Sequence, residues 1–119
     1  MKELRYDAVV IGGGAAGMAA ALAIDQAGFT CAIVEREDHL GGILMQCIHN
    51  GFGLHEFKEE LTGPEFAERF AEQVAKSKIA VYLGTTVTDI NVQNVQDEKE
   101  LICASPDHGV LKITCKAVV

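Results

Sequence analysis

The feature that most constrains this chain is a run of six residues, Gly12-Gly13-Gly14-Ala15-Ala16-Gly17, set between a β-type segment and an alanine-rich one. Upstream, Leu4 to Ile11 reads LRYDAVVI and is apolar without a break from Ala8 to Ile11. That pattern predicts a strand buried on both faces, as in a parallel sheet covered by helices. Downstream, Ala15 to Ala27 is rich in alanine, with Met18, Leu22 and Ile24 as its larger apolar residues. This predicts a helix, and Gly28 stands where a left-handed residue would end it. Phe29 to Val34 (FTCAIV) predicts the next strand. Strand, glycine turn, helix and strand within about 30 residues make a βαβ unit. In the pattern G-x-G-x-x-G, Gly12 permits the tight turn out of the strand, Gly14 lets the backbone come close to a pyrophosphate, and Gly17 lets the helix pack on the sheet. The first-turn amides of the helix, with about half a positive charge from its dipole, then face the phosphates.

The motif is not alone. Glu35 closes the second strand 18 residues past Gly17, where a carboxylate can accept hydrogen bonds from a ribose diol. Its charge also disfavours a 2′-phosphate, and so NADP, at this position. The plainer alternative is a tight glycine turn with a surface glutamate, but strand, spacing, helix and acid agree together. Six residues beyond Glu35, Gly41-Gly42 again allows close backbone approach. Arg36, next to Glu35, is a second residue that can approach the adenosine end of a dinucleotide.

Beyond Glu35, Arg36 to Gly53 holds four glycines and follows neither period, and a long irregular stretch in a small domain is more often functional than accidental. Leu54 to Leu61 predicts a short helix. Thr62-Gly63-Pro64-Glu65 predicts the start of a longer one, from about Pro64 to Ser77, with Phe66, Phe70 and Val74 on its core face and a charged opposite face. Four β-type segments follow: Ile79 to Leu83, Thr85 to Val92, Glu100 to Ala104 and Val110 to Lys116. The short turns between the last three predict an antiparallel three-stranded meander after the parallel strands.

A glycine fingerprint near the N-terminus, an acid closing the second strand and a Gly-Gly pair soon after resemble the N-terminal FAD-binding part of flavoproteins with two dinucleotide-binding domains, the pyridine nucleotide-disulfide oxidoreductase superfamily. The meander is similar to theirs, and Thr85-Thr86-Val87-Thr88-Asp89-Ile90 resembles their adenine-side segment. The segment LKITCKAVV, ending at Val119, resembles the strand leading into their second glycine-containing turn. The resemblance implies an α/β fold with a Rossmann-type parallel sheet and FAD as cofactor. It implies a site built on Gly12, Gly14, Gly17 and Glu35, with Gly42 and the backbone of Val87 as further contacts. It also implies NAD(P)H as co-substrate of a longer parent protein, with hydride or electrons passing between a reduced small-molecule substrate or NAD(P)H and a second acceptor. Residues 1–119 would then be an N-terminal domain fragment ending inside a strand. On its own the fragment is expected to be inactive and, with a central strand missing, prone to self-association through an exposed edge or apolar face.

One departure narrows the resemblance. Disulfide reductases of the superfamily carry C-x4-C just after the Gly-Gly pair, whereas here Ile43-Leu44-Met45-Gln46-Cys47-Ile48-His49 holds one cysteine in another register. A single thiol cannot form an intrachain redox disulfide, so the sequence looks more like a branch that works without one. Cys47 and His49 are candidate catalytic groups near the flavin, as a thiol and a proton donor or acceptor, with His55 a third. Plainer roles are a pocket-lining thiol, a hydrogen-bonded loop histidine and a solvated helix histidine. Their irregular spacing and the lack of a fourth ligand give no expectation of a metal.

Composition supplies the exclusions. The chain has 119 residues, the length of one domain, with 10 Lys and Arg against 17 Asp and Glu for a net charge of −7. That field repels polyanions, so nucleic acid and acidic membrane surfaces are poor partners. No apolar run reaches the ~18 residues of a membrane span, and the opening residues lack the order of a secretory leader. The four cysteines include no C-x-x-C pair, and Cys31, Cys103 and Cys115 fall in predicted strands, so they are expected as core thiols of a cytoplasmic protein. Two other functional classes stay open: an NAD-linked dehydrogenase cofactor domain, and a non-catalytic dinucleotide-binding or assembly module. The Gly-Gly pair and the meander weigh against the first.

Overall fold

Strand β1 (Lys2–Ile11) runs straight into the glycine turn, and helix α1 (Ala15–Gln26) and strand β2 (Cys31–Val34) follow it, as the hydrophobic pattern predicts. The structure, a computed structural model, describes residues 1–42, 62–92 and 97–119. Helix α1 ends as its sequence requires. Gly28 adopts a φ of 91°, its amide donates to the Asp25 carbonyl and the Phe29 amide donates to that of Ile24. This double closure satisfies carbonyls that a helix end would otherwise leave bare.

Helix α2 (Gly63–Lys76) starts at the predicted place, with Thr62 as its cap and Pro64 in the first turn. Strands β3 (Ala80–Tyr82), β4 (Thr86–Asn91), β5 (Lys99–Ser105) and β6 (Gly109–Val118) complete the described elements. All six strands form one sheet in the order β3-β2-β1-β6-β5-β4. Strands β3, β2, β1 and β6 pair in parallel, and β6, β5 and β4 pair antiparallel as the predicted meander. The fold is therefore α/β, with a Rossmann-type βαβ sheet and an antiparallel extension.

Both described helices cover one face. Met18, Ala21 and Leu22 of α1 and Phe70 and Val74 of α2 pack with Val10, Cys31, Ile33 and Ile79 in one buried cluster. The Phe66, Phe70 and Val74 stripe thus belongs to the core, and Phe66 meets Phe70 edge to face. On the other face Val9, Ala32 and Val34 pack with Leu101, Cys103, Leu111, Ile113 and Cys115, so the meander folds back over the parallel strands. Cys31, Cys103 and Cys115 are buried free thiols, as expected. Burial, aided by the charge of Asp25, pushes the Cys31 thiol up to about 11, and burial raises Cys103 and Cys115 as well. Such thiols are poor nucleophiles.

Two details differ from the sequence reading. Strand β1 begins at Lys2, earlier than predicted, because Lys2 and Glu3 pair with Leu111 and Lys112 of the distant strand β6. The centre of the sheet is also filled. Strand β6 lies beside β1, the Val119 amide donates to the Val9 carbonyl and the Ile11 amide to that of Val119, and the free edges belong to β3 and β4. The predicted helix over 54–61, the stretch 43–53, and with them Cys47, His49 and His55, lie outside the described residues.

Candidate nucleotide site

Strands β1 and β2 point their C-terminal ends at the same crevice, the position where open parallel sheets bind ligands. The first tie is in the turn itself. The Gly12 amide donates to the Val34 carbonyl at 2.9 Å, and Gly12 takes a φ of 105°, a conformation that only glycine adopts freely. Gly17 is fixed by contact rather than by dihedral. A Cβ there would stand 2.0 Å from the Gly12 carbonyl oxygen and 3.3 Å from a Val10 methyl group. No side chain fits, and α1 can lie close on the strand only because Gly17 lacks one.

Gly14 differs from both. It is the N-cap of α1, no side chain caps that end, and no acidic residue lies in the first turn. A Cβ on Gly14 would meet nothing within 4 Å, so the space before the helix start is open. Gly42, with φ 55°, backs onto this segment, its Cβ position lying 3.5 Å from the Gly14 Cα. The cradle is thus bare main chain at the positive end of a helix dipole, which suits a pyrophosphate.

Glu35 is only 7% exposed. One carboxylate oxygen accepts from the Gly13 amide at 2.8 Å and the other from the Glu37 amide at 2.7 Å. Its backbone is tied on both sides as well: its amide donates to the Tyr82 carbonyl, and its carbonyl accepts from the Thr85 amide. Beside it opens a cavity of about 290 Å³, lined by Ile11, Gly12, Val34, Glu35, Arg36, Thr85, Thr86 and Val87. Three of the residues singled out from sequence, Gly12, Glu35 and Val87, therefore share one hollow, joined by Arg36. Gly14 and Gly42 lie along the helix start, and Gly17 serves packing. Cys47 and His49 fall outside the described residues.

Sequence reasoning missed the part played by Gly13. Its amide is held by Glu35, its carbonyl accepts from the Gly41 amide at 2.8 Å, and a Cβ on it would come within 2.4 Å of the Leu40 Cδ2. In G-x-G-x-x-G this position is a free x, so the motif carries no signal for it. It also gave no direct role to Thr85, which is 1% exposed and donates its hydroxyl to the Leu83 carbonyl at 2.8 Å.

Residues 7–56 match the family model for an FAD binding domain. Over this stretch the chain is similar to FAD-binding domains. It is 34% identical over 68 residues to 4,4′-diaponeurosporene oxygenase of Staphylococcus aureus (strain USA300), a match covering 57% of this chain and 14% of that protein. It is 45% identical over 51 residues to the glutamate synthase [NADPH] small chain of Mycobacterium tuberculosis (strain CDC 1551 / Oshkosh), covering 43% of this chain and 9% of that one. Among solved structures, thioredoxin reductase of T. acidophilum superposes with a TM-score of 0.77 at 26% identity, covering 96% of this chain and 34% of that one. The chain therefore spans a small part of the length of the curated relatives it matches. No described helix is long and apolar enough to cross a membrane.

Proposed function

We propose that this domain seats the ADP half of FAD in the crevice at the ends of β1 and β2, as the N-terminal FAD-binding part of an electron-transferring flavoenzyme. The observation that carries the reading is the convergence of Gly12, Glu35 and Val87 on one cavity beside an uncapped helix start. The residues fit the group. The open first turn of α1 receives the pyrophosphate on backbone amides, the Glu35 carboxylate accepts from the ribose hydroxyls, and Val87 and Arg36 flank the adenine. Flavin, when bound, supplies the hydride and electron chemistry. The chain binds and orients it, and its buried carboxylate disfavours a 2′-phosphate in the crevice.

The electron path in a whole protein is proposed on the same basis: a reduced small molecule or NAD(P)H as donor and a second acceptor. The relative from Mycobacterium tuberculosis, whose name includes NADPH, supports that choice of donor. The single cysteine in 43–49 supports a branch that works without a redox disulfide, with Cys47 and His49 as its candidate catalytic groups. We place the protein in the cytoplasm, where three free buried thiols stay reduced. The 119-residue chain is read as a single domain, inactive by itself, and self-associating through exposed Phe29 and Val119; a monomeric mass by light scattering would remove the last point.

The deciding experiment is purification of the protein followed by cofactor release. Released FAD supports the reading. Bound NAD in its place supports the dehydrogenase alternative, and well-folded protein that binds neither nucleotide supports an assembly module.

A further inference from the structure

We infer that Glu35 is also a positioning residue for the glycine turn, so that the sugar and pyrophosphate subsites are coupled through one carboxylate; this rests on the nucleotide reading above. A carboxylate offers about four acceptor positions. Two are taken by the Gly13 and Glu37 amides at 2.8 and 2.7 Å, which leaves lone pairs for ribose hydroxyls. The Gly13 amide is consumed by Glu35, so the phosphates must be held by the amides that follow it. Gly13 is at the same time enclosed by Leu40 and held through its carbonyl by Gly41. The carboxylate thus stitches the glycine turn to segment 35–41, and the Gly84 amide, donating to the Glu37 carbonyl at 2.7 Å, extends the stitch to the β3–β4 turn. The turn is set in its anion-receiving shape before any nucleotide arrives, and such preorganisation is a source of affinity.

Substituting Glu35→Gln separates the two roles. Glutamine keeps one acceptor oxygen and presents a donor where the second stood, so Gly13 or Glu37 loses its partner. The probes are adenosine, which carries the sugar alone, and ADP, which carries sugar and pyrophosphate, each titrated calorimetrically into the 119-residue chain and its E35Q variant. If Glu35 only grips the sugar, both affinities fall by the same factor. If it also sets the turn, ADP loses about tenfold more than adenosine, the worth of one charge-assisted hydrogen bond. Equal losses overturn the inference. Hydrogen exchange of the Gly13 amide in the wild-type chain without nucleotide gives a second test, which stands even if E35Q fails to fold. Protection of at least tenfold over an unstructured glycine is expected, and exchange at the unstructured rate overturns the inference. A wild-type chain that binds neither probe sinks the nucleotide reading, while the exchange of Gly13 still decides whether Glu35 holds the turn.

Discussion

The two described helices begin in opposite ways. Helix α2 closes its own N-terminus: the Thr62 hydroxyl accepts from the Glu65 amide, the Glu65 carboxylate accepts from the Thr62 amide, and a proline fills the first turn. Helix α1 has glycine at the same position, no capping side chain and no acid in its first turn. A helix that starts on glycine forgoes roughly a few tenths of a kcal/mol that a serine, threonine or aspartate cap would contribute. Between the described helices, that loss falls at the start that faces the crevice. A capped start is a folding device, and under the function proposed above the uncapped one beside the cavity is a binding device.

Substitutions can break this contrast, beginning with the one that removes α1 altogether. Gly17→Ala places a methyl group 2.0 Å from a backbone oxygen that cannot move without unmaking the turn. Urea denaturation should show a loss on the order of 4 kcal/mol or no cooperative transition, among the largest effects of a single substitution. Gly14→Asp gives α1 the cap it lacks. The Cβ has room, so the midpoint of unfolding should hold or rise. The carboxylate would occupy and repel the pyrophosphate position, and ADP affinity measured by titration calorimetry should fall roughly a hundredfold. A variant that binds ADP as wild type does would mean that the helix start is not the anion site.

Thr62→Ala is the mirror experiment. It should cost about 1 kcal/mol in denaturant unfolding and leave ADP affinity unchanged. The smallest effect is electrostatic. Hydrogen bonds from the Thr62 amide and hydroxyl hold the exposed Glu65 carboxyl below the usual carboxylate range. A depressed native value means that the folded state favours the ionised form, so the stabilisation is fully present above the ordinary carboxylate range and fades as pH falls through the lowered native value. The difference in stability between wild type and Glu65→Gln should therefore shrink towards acid, and a difference that grows there would contradict the capping geometry.

How far the sequence reveals this depends on whether a signal is local. The cap at Thr62, the glycine that ends α1 and the β5–β6 turn are each written within a few neighbouring residues, and the structure has them where the pattern places them. Gly12 and Glu35 are legible as neighbours because each follows the end of a parallel strand, and such ends share one edge of the sheet, whereas Val87, near the start of antiparallel β4, is placed only by the resemblance. The hold of Glu35 on Gly13 was not legible, since its partners are a side chain and an amide on different strands' ends, and a motif with a free x at that position hides the constraint. The start of β1 was misjudged for the same reason: Lys2 and Glu3 are extended because of strand β6, and nothing in their own neighbourhood says so.

That pairing has a kinetic consequence. Lys2 lies opposite Leu111 and Ala8 opposite Ala117, so the middle of the sheet is sewn from the parts of the chain that are furthest apart in sequence. Local hairpins such as β5–β6 can form early, but the β1–β6 seam must wait for a very long loop to close, and topologies of this kind fold slowly. Until that seam closes, the backbone that carries the glycine turn has a neighbour on one flank only, so the crevice at the end of β1 takes its final form late.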